Sequence, residues 1–169
     1  MRLHRVIRFA ASALALAACA AIVPVSAAGA ATVPIAGTIA PGAVGACTLT
    51  LGDPLIRERC TGMTETYAGG LSSTADAVFS VSLLFDTRSG AATTRGTETF
   101  TGCVDGVCGT LQWIWHVNSV SDPETLALLH GRGQVRVTGG TGALAGAKGS
   151  FTIACEPGAP CAYRGHVVM

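Results

Sequence analysis

The sequence is poor in charge and in aromatic side chains: 12% of its 169 residues are charged and 5% are aromatic. Its basic residues are scattered along the chain and form no stripe, which argues against nucleic acid or an anionic membrane surface as a partner. After residue 30, no apolar run reaches the length of about 18 residues that a transmembrane helix needs. The sequence therefore predicts neither a nucleic-acid partner nor a transmembrane segment.

The sequence also lacks a complete catalytic or metal-binding signature. No G-x-S-x-G motif is present, so a nucleophile elbow of the hydrolase type is not expected. The short cysteine spacings are not C-x2-C, and the histidines after residue 30 (His116, His130 and His166) have separations that indicate no shared metal. We therefore expect no metal and no cofactor, and the sequence carries no signal for an oligomeric state.

A glycine-rich stretch, "VTGGTGALAGAKG" over residues 137–149, imitates a dinucleotide fingerprint. Such a fingerprint requires a helix at its end, since helix N-terminal amides hold the pyrophosphate, but here "GAKGSFTI" returns to a strand pattern. We interpret the stretch as a barrel corner. Gly139, Gly140 and Gly142 are expected to provide positive φ, and Leu144 to cap the barrel end.

Residues 1–30 have the pattern of an export signal, with a basic start, an apolar run from Phe9 to Val23 and a small-residue end. Two cleavage routes remain open. Ala28-Gly29-Ala30 suits a general signal peptidase, whereas "LAAC" at residues 16–19 resembles a lipobox in which Cys19 would be lipidated. We expect an exported protein, secreted or held at the outer face of the cell envelope.

Six cysteines remain after the signal, and an even number in an exported chain predicts three disulfides. In "CVDGVC" the Asp105-Gly106 pair favours a type I′ hairpin turn that places its two flanking cysteines opposite each other. "CEPGAPC" is a second closed loop, and the last pair follows by subtraction. The predicted disulfides are Cys103–Cys108, Cys155–Cys161 and Cys47–Cys60.

The remainder of the chain shows short strand-like runs separated by turn signals, with no convincing helical period. This pattern predicts an all-β fold: a single small, antiparallel, closed β-barrel of about eight strands stapled by disulfides. We divide the chain into a signal at 1–30, a linker or edge strand at 31–45 and a barrel domain at 46–169.

Two motifs resemble a known family. "GGTGALAGAKGS" is similar to the glycine-rich corner of allene oxide cyclase and dirigent barrels, and "GTETFTGCVDGVCGTL" resembles a hairpin in a related, calycin-like bacterial family of unknown function. The resemblance covers about Arg57 to His166. It implies a small closed β-barrel with a pocket and no known reaction. Ala143 and Ser150 stand where relatives carry glutamate, and Trp115 where they place histidine, which counts against catalysis.

The Asp105-Gly106 turn also fixes the register of its hairpin. Glu98 should oppose Trp113, and Phe100 should oppose Leu111. Alternation then places one carboxylate on an apolar, inward face, with the surrounding aromatic side chains as candidate ligand contacts. The candidate ligand-binding residues are Glu98, Phe100, Trp113 and Trp115.

Burial would raise the pKa of Glu98 and make it a candidate general acid or base, although a lone buried carboxyl more often has a structural hydrogen-bonding role. The leading hypothesis is an exported β-barrel that binds a small apolar ligand or an envelope partner. One alternative is a cyclase- or isomerase-type enzyme that uses Glu98. The other is a purely structural module of the cell envelope.

Overall fold

The computed structural model describes residues 30–169, and these residues form nine β-strands. Within them, no helix is long and apolar enough to cross a membrane. The predicted signal and the candidate lipidation site Cys19 lie outside the described residues. The strands are β1 (Thr32–Pro41), β2 (Ala46–Thr50), β3 (Leu55–Gly69), β4 (Leu71–Asp86), β5 (Ala91–Val104), β6 (Val107–Ser121), β7 (Leu128–Gly142), β8 (Lys148–Cys155) and β9 (Cys161–Val168).

All nine strands belong to one antiparallel sheet whose hydrogen bonding closes like a ring. The order is β1-β9-β8-β7-β6-β5-β4-β3-β2, and β1 pairs in addition with β3. Eight strands, β1 and β3 to β9, therefore complete the ring, while β2 extends one side of β3. The prediction of an all-β, antiparallel fold is confirmed.

Residues 31–45, for which a linker and an edge strand were the alternatives, contain β1. Gly37 and Ile39 of this strand have partners on both sides, in β9 and in β3. Ile35 and Ile39 are buried, since alternate side chains of a strand point to the same face of the sheet. The structure thus includes this segment in the ring.

The hairpin between β5 and β6 has the predicted turn and register. Asp105 and Gly106 have φ values of 47° and 82°, as the two central residues of a type I′ turn require. Glu98 is the partner of Trp113, and Phe100 is the partner of Leu111. A two-residue turn leaves no freedom to slip the strands, which is why the register could be predicted.

The three predicted disulfides are confirmed. Cys47–Cys60 joins β2 to β3, Cys103–Cys108 closes the β5–β6 hairpin, and Cys155–Cys161 closes the β8–β9 connection. Each bond joins neighbouring antiparallel strands, so each stabilises local pairing. Three disulfides in one domain indicate an oxidising environment.

The glycine-rich stretch forms the connection from β7 to β8, and no helix follows it within residues 143–147. The expectation of positive φ is correct for Gly142 (64°) but wrong for Gly139 and Gly140. Gly140 is required for a different reason, since a Cβ there would lie 2.2 Å from the carbonyl oxygen of Leu144. Leu144 itself is completely buried, in agreement with a capping role.

The centre of the ring is filled by a cluster of aromatic side chains, each from a different strand. Phe100 and Trp113 stack with ring centroids 5.6 Å apart, and Trp113 meets Phe151 edge to face at 5.4 Å. Two tyrosines complete the contacts. Such pairs add about 0.5–1.5 kcal/mol each beyond the burial of area. The aromatic cluster consists of Tyr67, Phe100, Trp113, Phe151 and Tyr163.

We expect Leu144→Ala to lower the free energy of unfolding by about 2–5 kcal/mol, because it opens a cavity beneath the β7–β8 corner. The matched control is Leu129→Ala, since Leu129 is 48% exposed and its truncation should cost much less. Urea unfolding followed by tryptophan fluorescence measures both. Equal losses for the two variants would show that Leu144 does not cap the ring.

Candidate functional site

Glu98 is the one buried charged side chain among the described residues, with 5% of its surface exposed. It projects inward from β5 beside the aromatic cluster, as predicted from alternation. The indole Nε1 of Trp113 donates a hydrogen bond of 2.8 Å to its Oε2 atom, and the Tyr67 hydroxyl lies 3.2 Å from the same oxygen. Two strands, β3 and β6, thus hold this carboxyl in a fixed orientation.

A second carboxyl, that of Glu65 on β3, is linked to Glu98 by the hydroxyl of Tyr67, which contacts both groups. The Tyr67 hydroxyl donates a hydrogen bond of 2.6 Å to the Oε1 atom of Glu65. Because the same hydroxyl also contacts Glu98, the two carboxyl groups lie on either side of one oxygen. Glu65 was not among the predicted site residues. Alternation in "MTETY" places Glu65 and Tyr67 on one face, but nothing local indicates that this face meets Glu98.

The pKa values of the two carboxyl groups are both raised, and that of Glu98 is raised much further. Burial, and after it the negative charge of Glu65, raises the pKa of Glu98 to about 9, although its bonds from Trp113 and Tyr67 act in the opposite direction. Burial also raises the pKa of Glu65, while hydrogen bonds from Tyr67 and Glu98 oppose the shift. Glu98 is therefore the protonated member of the pair, and Glu65 is its neighbouring acceptor.

Both carboxyl groups line a half-open cavity of about 140 Å³ at one end of the ring. The cavity lies beyond the aromatic cluster, toward the β8–β9 connection, where the Cys155–Cys161 disulfide forms part of its wall. Its remaining walls are almost entirely apolar. The lining residues besides the two glutamates are Ile39, Phe79, Trp115, Val117, Ile153, Cys155 and Cys161.

Trp115 brings an unpaired hydrogen-bond donor to this cavity. Its Nε1 atom is buried and has no hydrogen-bond partner among the described residues; the same is true of the Oε1 atom of Glu98. The indole lies against Gly96, where a Cβ atom would come within 2.4 Å of the ring, and it meets Phe79 at 6.0 Å. Since buried donors are normally paired, this N–H is the clearest indication of a ligand.

The four predicted ligand contacts divide into two groups. Glu98 and Trp115 line the cavity, whereas Phe100 and Trp113 belong to the aromatic cluster and do not line it. His116 follows Trp115 and is exposed on the outer face. Within residues 30–169, the one group with metal-ligand spacing is Cys47, Glu58 and Cys60, and its two cysteines are bonded to each other.

The chain is a small, disulfide-linked, all-β protein with two carboxyl groups in the wall of an otherwise apolar cavity. The chain belongs to the family described as "Protein of unknown function (DUF3224)", whose model matches residues 56–165. It is similar in fold to a crystal structure of a DUF3224 protein of unknown function from Shewanella oneidensis MR-1, at 18% identity and a TM-score of 0.59. That match covers 81% of this chain and 96% of the other. No curated protein matches the chain.

The resemblance to a bacterial family of unknown function is thus confirmed, and the further relation to allene oxide cyclase and dirigent barrels stays a prediction. Neither the family description nor the structural relative states a ligand or a reaction. The cavity is therefore the part of the structure that bears on function.

We expect the stability of the protein to fall as the pH rises from about 4.5 to about 9, by at most ~1.4 kcal/mol per pH unit from this group. The pKa of Glu98 lies near 9 in the folded protein, above its ordinary value of 4.5. The unfolded chain therefore loses this proton first, and the stabilising contribution is complete only at acidic pH. Urea unfolding across this pH range measures the effect.

Glu98→Gln should remove most of this pH dependence, because its amide stays neutral and keeps a similar shape. Glu124→Gln, at an exposed position of the β6–β7 turn, is the control and should keep the slope of the parent protein. Identical slopes for the parent and Glu98→Gln would show that Glu98 is ionised in the folded state.

Proposed function

We propose that the protein is an exported small β-barrel that binds a small, mostly apolar ligand carrying one hydrogen-bond acceptor. The observation that carries this proposal is the buried, unpaired Nε1 of Trp115 on the wall of a 140 Å³ apolar cavity, next to the protonated Glu98. A ring of eight strands is just wide enough to enclose one small ligand. Export is supported by the signal-like residues 1–30 and by the three disulfides.

The size and polarity of the cavity restrict the ligand. An apolar cavity of about 150 Å³ accommodates a molecule such as benzene, so a single six-membered ring suits this site. The N–H of Trp115 requires an acceptor, and a carbonyl oxygen supplies one without adding a charge. An anionic ligand is disfavoured, since two carboxyl groups already line the cavity wall.

We expect cyclohexanone to bind in the cavity and to shift the indole N–H resonance of Trp115 in a ¹H–¹⁵N spectrum. The Trp113 indole is the internal reference, because its N–H is already bonded to Glu98. Methylcyclohexane has a similar shape but no acceptor, so it should bind at least about tenfold more weakly, the equivalent of one hydrogen bond.

Two variants separate the polar and the steric contributions. Trp115→Phe should abolish the preference for cyclohexanone over methylcyclohexane. Val117→Phe should fill the cavity and weaken both. The proposal would be contradicted if the parent protein binds neither probe and shows no adduct by native mass spectrometry after purification from its own host. This result would favour a packed structural module.

A second candidate, an isomerase or cyclase that moves a proton, is favoured by the pairing of the two carboxyl groups. Glu98 is protonated and Glu65 is an acceptor, and both face the same apolar cavity. Groups whose pKa values are separated in this way can act as acid and base in one reaction. In this proposal Glu65 removes a proton next to a carbonyl, and the N–H of Trp115 stabilises the oxygen.

This candidate predicts exchange chemistry that simple binding does not. The parent protein should accelerate deuterium uptake next to the carbonyl of cyclohexanone in D₂O, and Glu65→Gln should lower that rate by about 10²-fold or more. NMR measures the uptake. Binding of cyclohexanone without accelerated uptake would contradict the enzyme and leave the binding protein.

A further inference from the structure

Five consecutive strands of the ring carry cationic residues and almost no acidic ones. Strands β5 to β9 contain a single acidic residue, Glu98, and it points inward. The basic residues of these strands are all exposed. Basic residues that are scattered along the sequence are thus brought to one surface by the fold. We call the outward-facing residues of β5 to β9 the cationic face; its basic members are Arg95, Arg132, Arg136, Lys148 and Arg164.

Most of these charges are not neutralised within the protein. Arg132 forms an ion pair with Glu156 in the β8–β9 connection. The other ion pair among the described residues joins Arg88 to Asp53, away from this face. Arg136 and Arg164 therefore keep their full capacity to bind an anion, and a guanidinium recognises a carboxylate through two parallel hydrogen bonds.

A groove on the cationic face brings these two arginines together. It has a volume of about 600 Å³ and crosses β6 to β9, and both arginines and two histidines line it. Gln134, Ser150 and Thr152 stand between them; the strand pairing aligns Gln134 with Thr152, and Thr152 with Arg164. The groove thus combines charged groups, neutral hydrogen-bonding groups and the exposed apolar side chain of Ile114, and a polysaccharide with carboxylates, hydroxyls and apolar ring faces can contact all three.

The groove continues on both sides. One neighbouring concavity of about 520 Å³ shares His116, Gln134 and Thr152 with it and reaches Arg132. Another of about 430 Å³ shares Arg136 and reaches Lys148. Along β7 the lining residues of the three concavities run from Arg132 to Thr138, a distance of about 20 Å at about 3.3 Å per residue. This length suits an extended chain better than a single sugar or a small anion.

The residues of the cationic face distinguish between two kinds of polyanion. No Phe, Tyr or Trp side chain is exposed among the outward positions of β5 to β9, and proteins that bind single-stranded nucleic acid use such rings to stack bases. Duplex DNA is usually read by an element that enters a groove, and the cationic face consists only of strands of the closed sheet. Hydroxyl and amide side chains between arginines favour a sugar polymer instead.

We infer that the cationic face binds a linear, carboxylate-bearing polysaccharide, with Arg136 and Arg164 as the principal carboxylate contacts. This site lies on the outer face of the ring, and Arg136 and Arg164 do not line the cavity. Its ligand class differs from the neutral ligand proposed for the cavity, so the two sites can be tested separately.

The test is titration calorimetry with polygalacturonate oligosaccharides at low and at physiological salt, using the disulfide-bonded protein from residue 31 onward. The double variant Arg136→Gln/Arg164→Gln should weaken binding by about tenfold or more at low salt, and the effect should shrink as salt increases. The matched control is Arg57→Gln/Arg59→Gln, which removes the same charge from exposed positions of β3. Circular dichroism checks that both variants are folded.

Three results would overturn the inference. The first is equal weakening by both double variants, which would show attraction to net charge alone. The second is equal affinity for a neutral oligosaccharide of the same length. The third is tighter binding of duplex or single-stranded DNA than of polygalacturonate at the same salt concentration, which would assign the cationic face to nucleic acid.

Discussion

Closure of the ring by β1 is the constraint on which the rest of the structure depends. β3 and β9 are the two ends of the series that runs through β4 to β8, and β1 supplies hydrogen-bonding partners to both. Without this strand the sheet would have two open edges, and edges of this kind invite association with other chains. Closure also fixes the interior, because it brings Tyr67 on β3 within 5.7 Å of Tyr163 on β9.

The closed interior is not uniform, and this asymmetry creates the site. At the end near Leu144, the side chains of Leu71, Val104 and Leu111 are completely buried. At the other end the side chains are less deeply buried: along β6, burial is complete at Leu111 and Trp113 but partial at Trp115 and Val117. The cavity occupies this less tightly packed end. A protein that packed both ends equally would gain stability and lose the space for a ligand.

The features of this structure that could be predicted are those set by residues close together in the sequence. The Asp105-Gly106 turn determines the register of β5 and β6, so the contact between Glu98 and Trp113 could be predicted. Glu65 could not be predicted as part of the site, because it reaches Glu98 only when β3 and β5 lie on either side of β4 in the folded sheet. The cationic face was missed for the same reason, since Arg95 and Arg164 lie far apart in sequence and become part of one surface only in the folded sheet.

Because side chains alternate between the two faces of the sheet, the same strands line both the cavity and the outer groove. In β6, Trp115 points into the apolar cavity while the next residue, His116, lines the outer groove. In β8, Ile153 borders the cavity and Thr152 borders the groove. Because successive side chains point to opposite faces, a substitution on one face changes the other only through the backbone. The low charge content of the chain is therefore misleading, since five of the eight basic residues after residue 30 lie on one face and the one deeply buried carboxyl lies behind it.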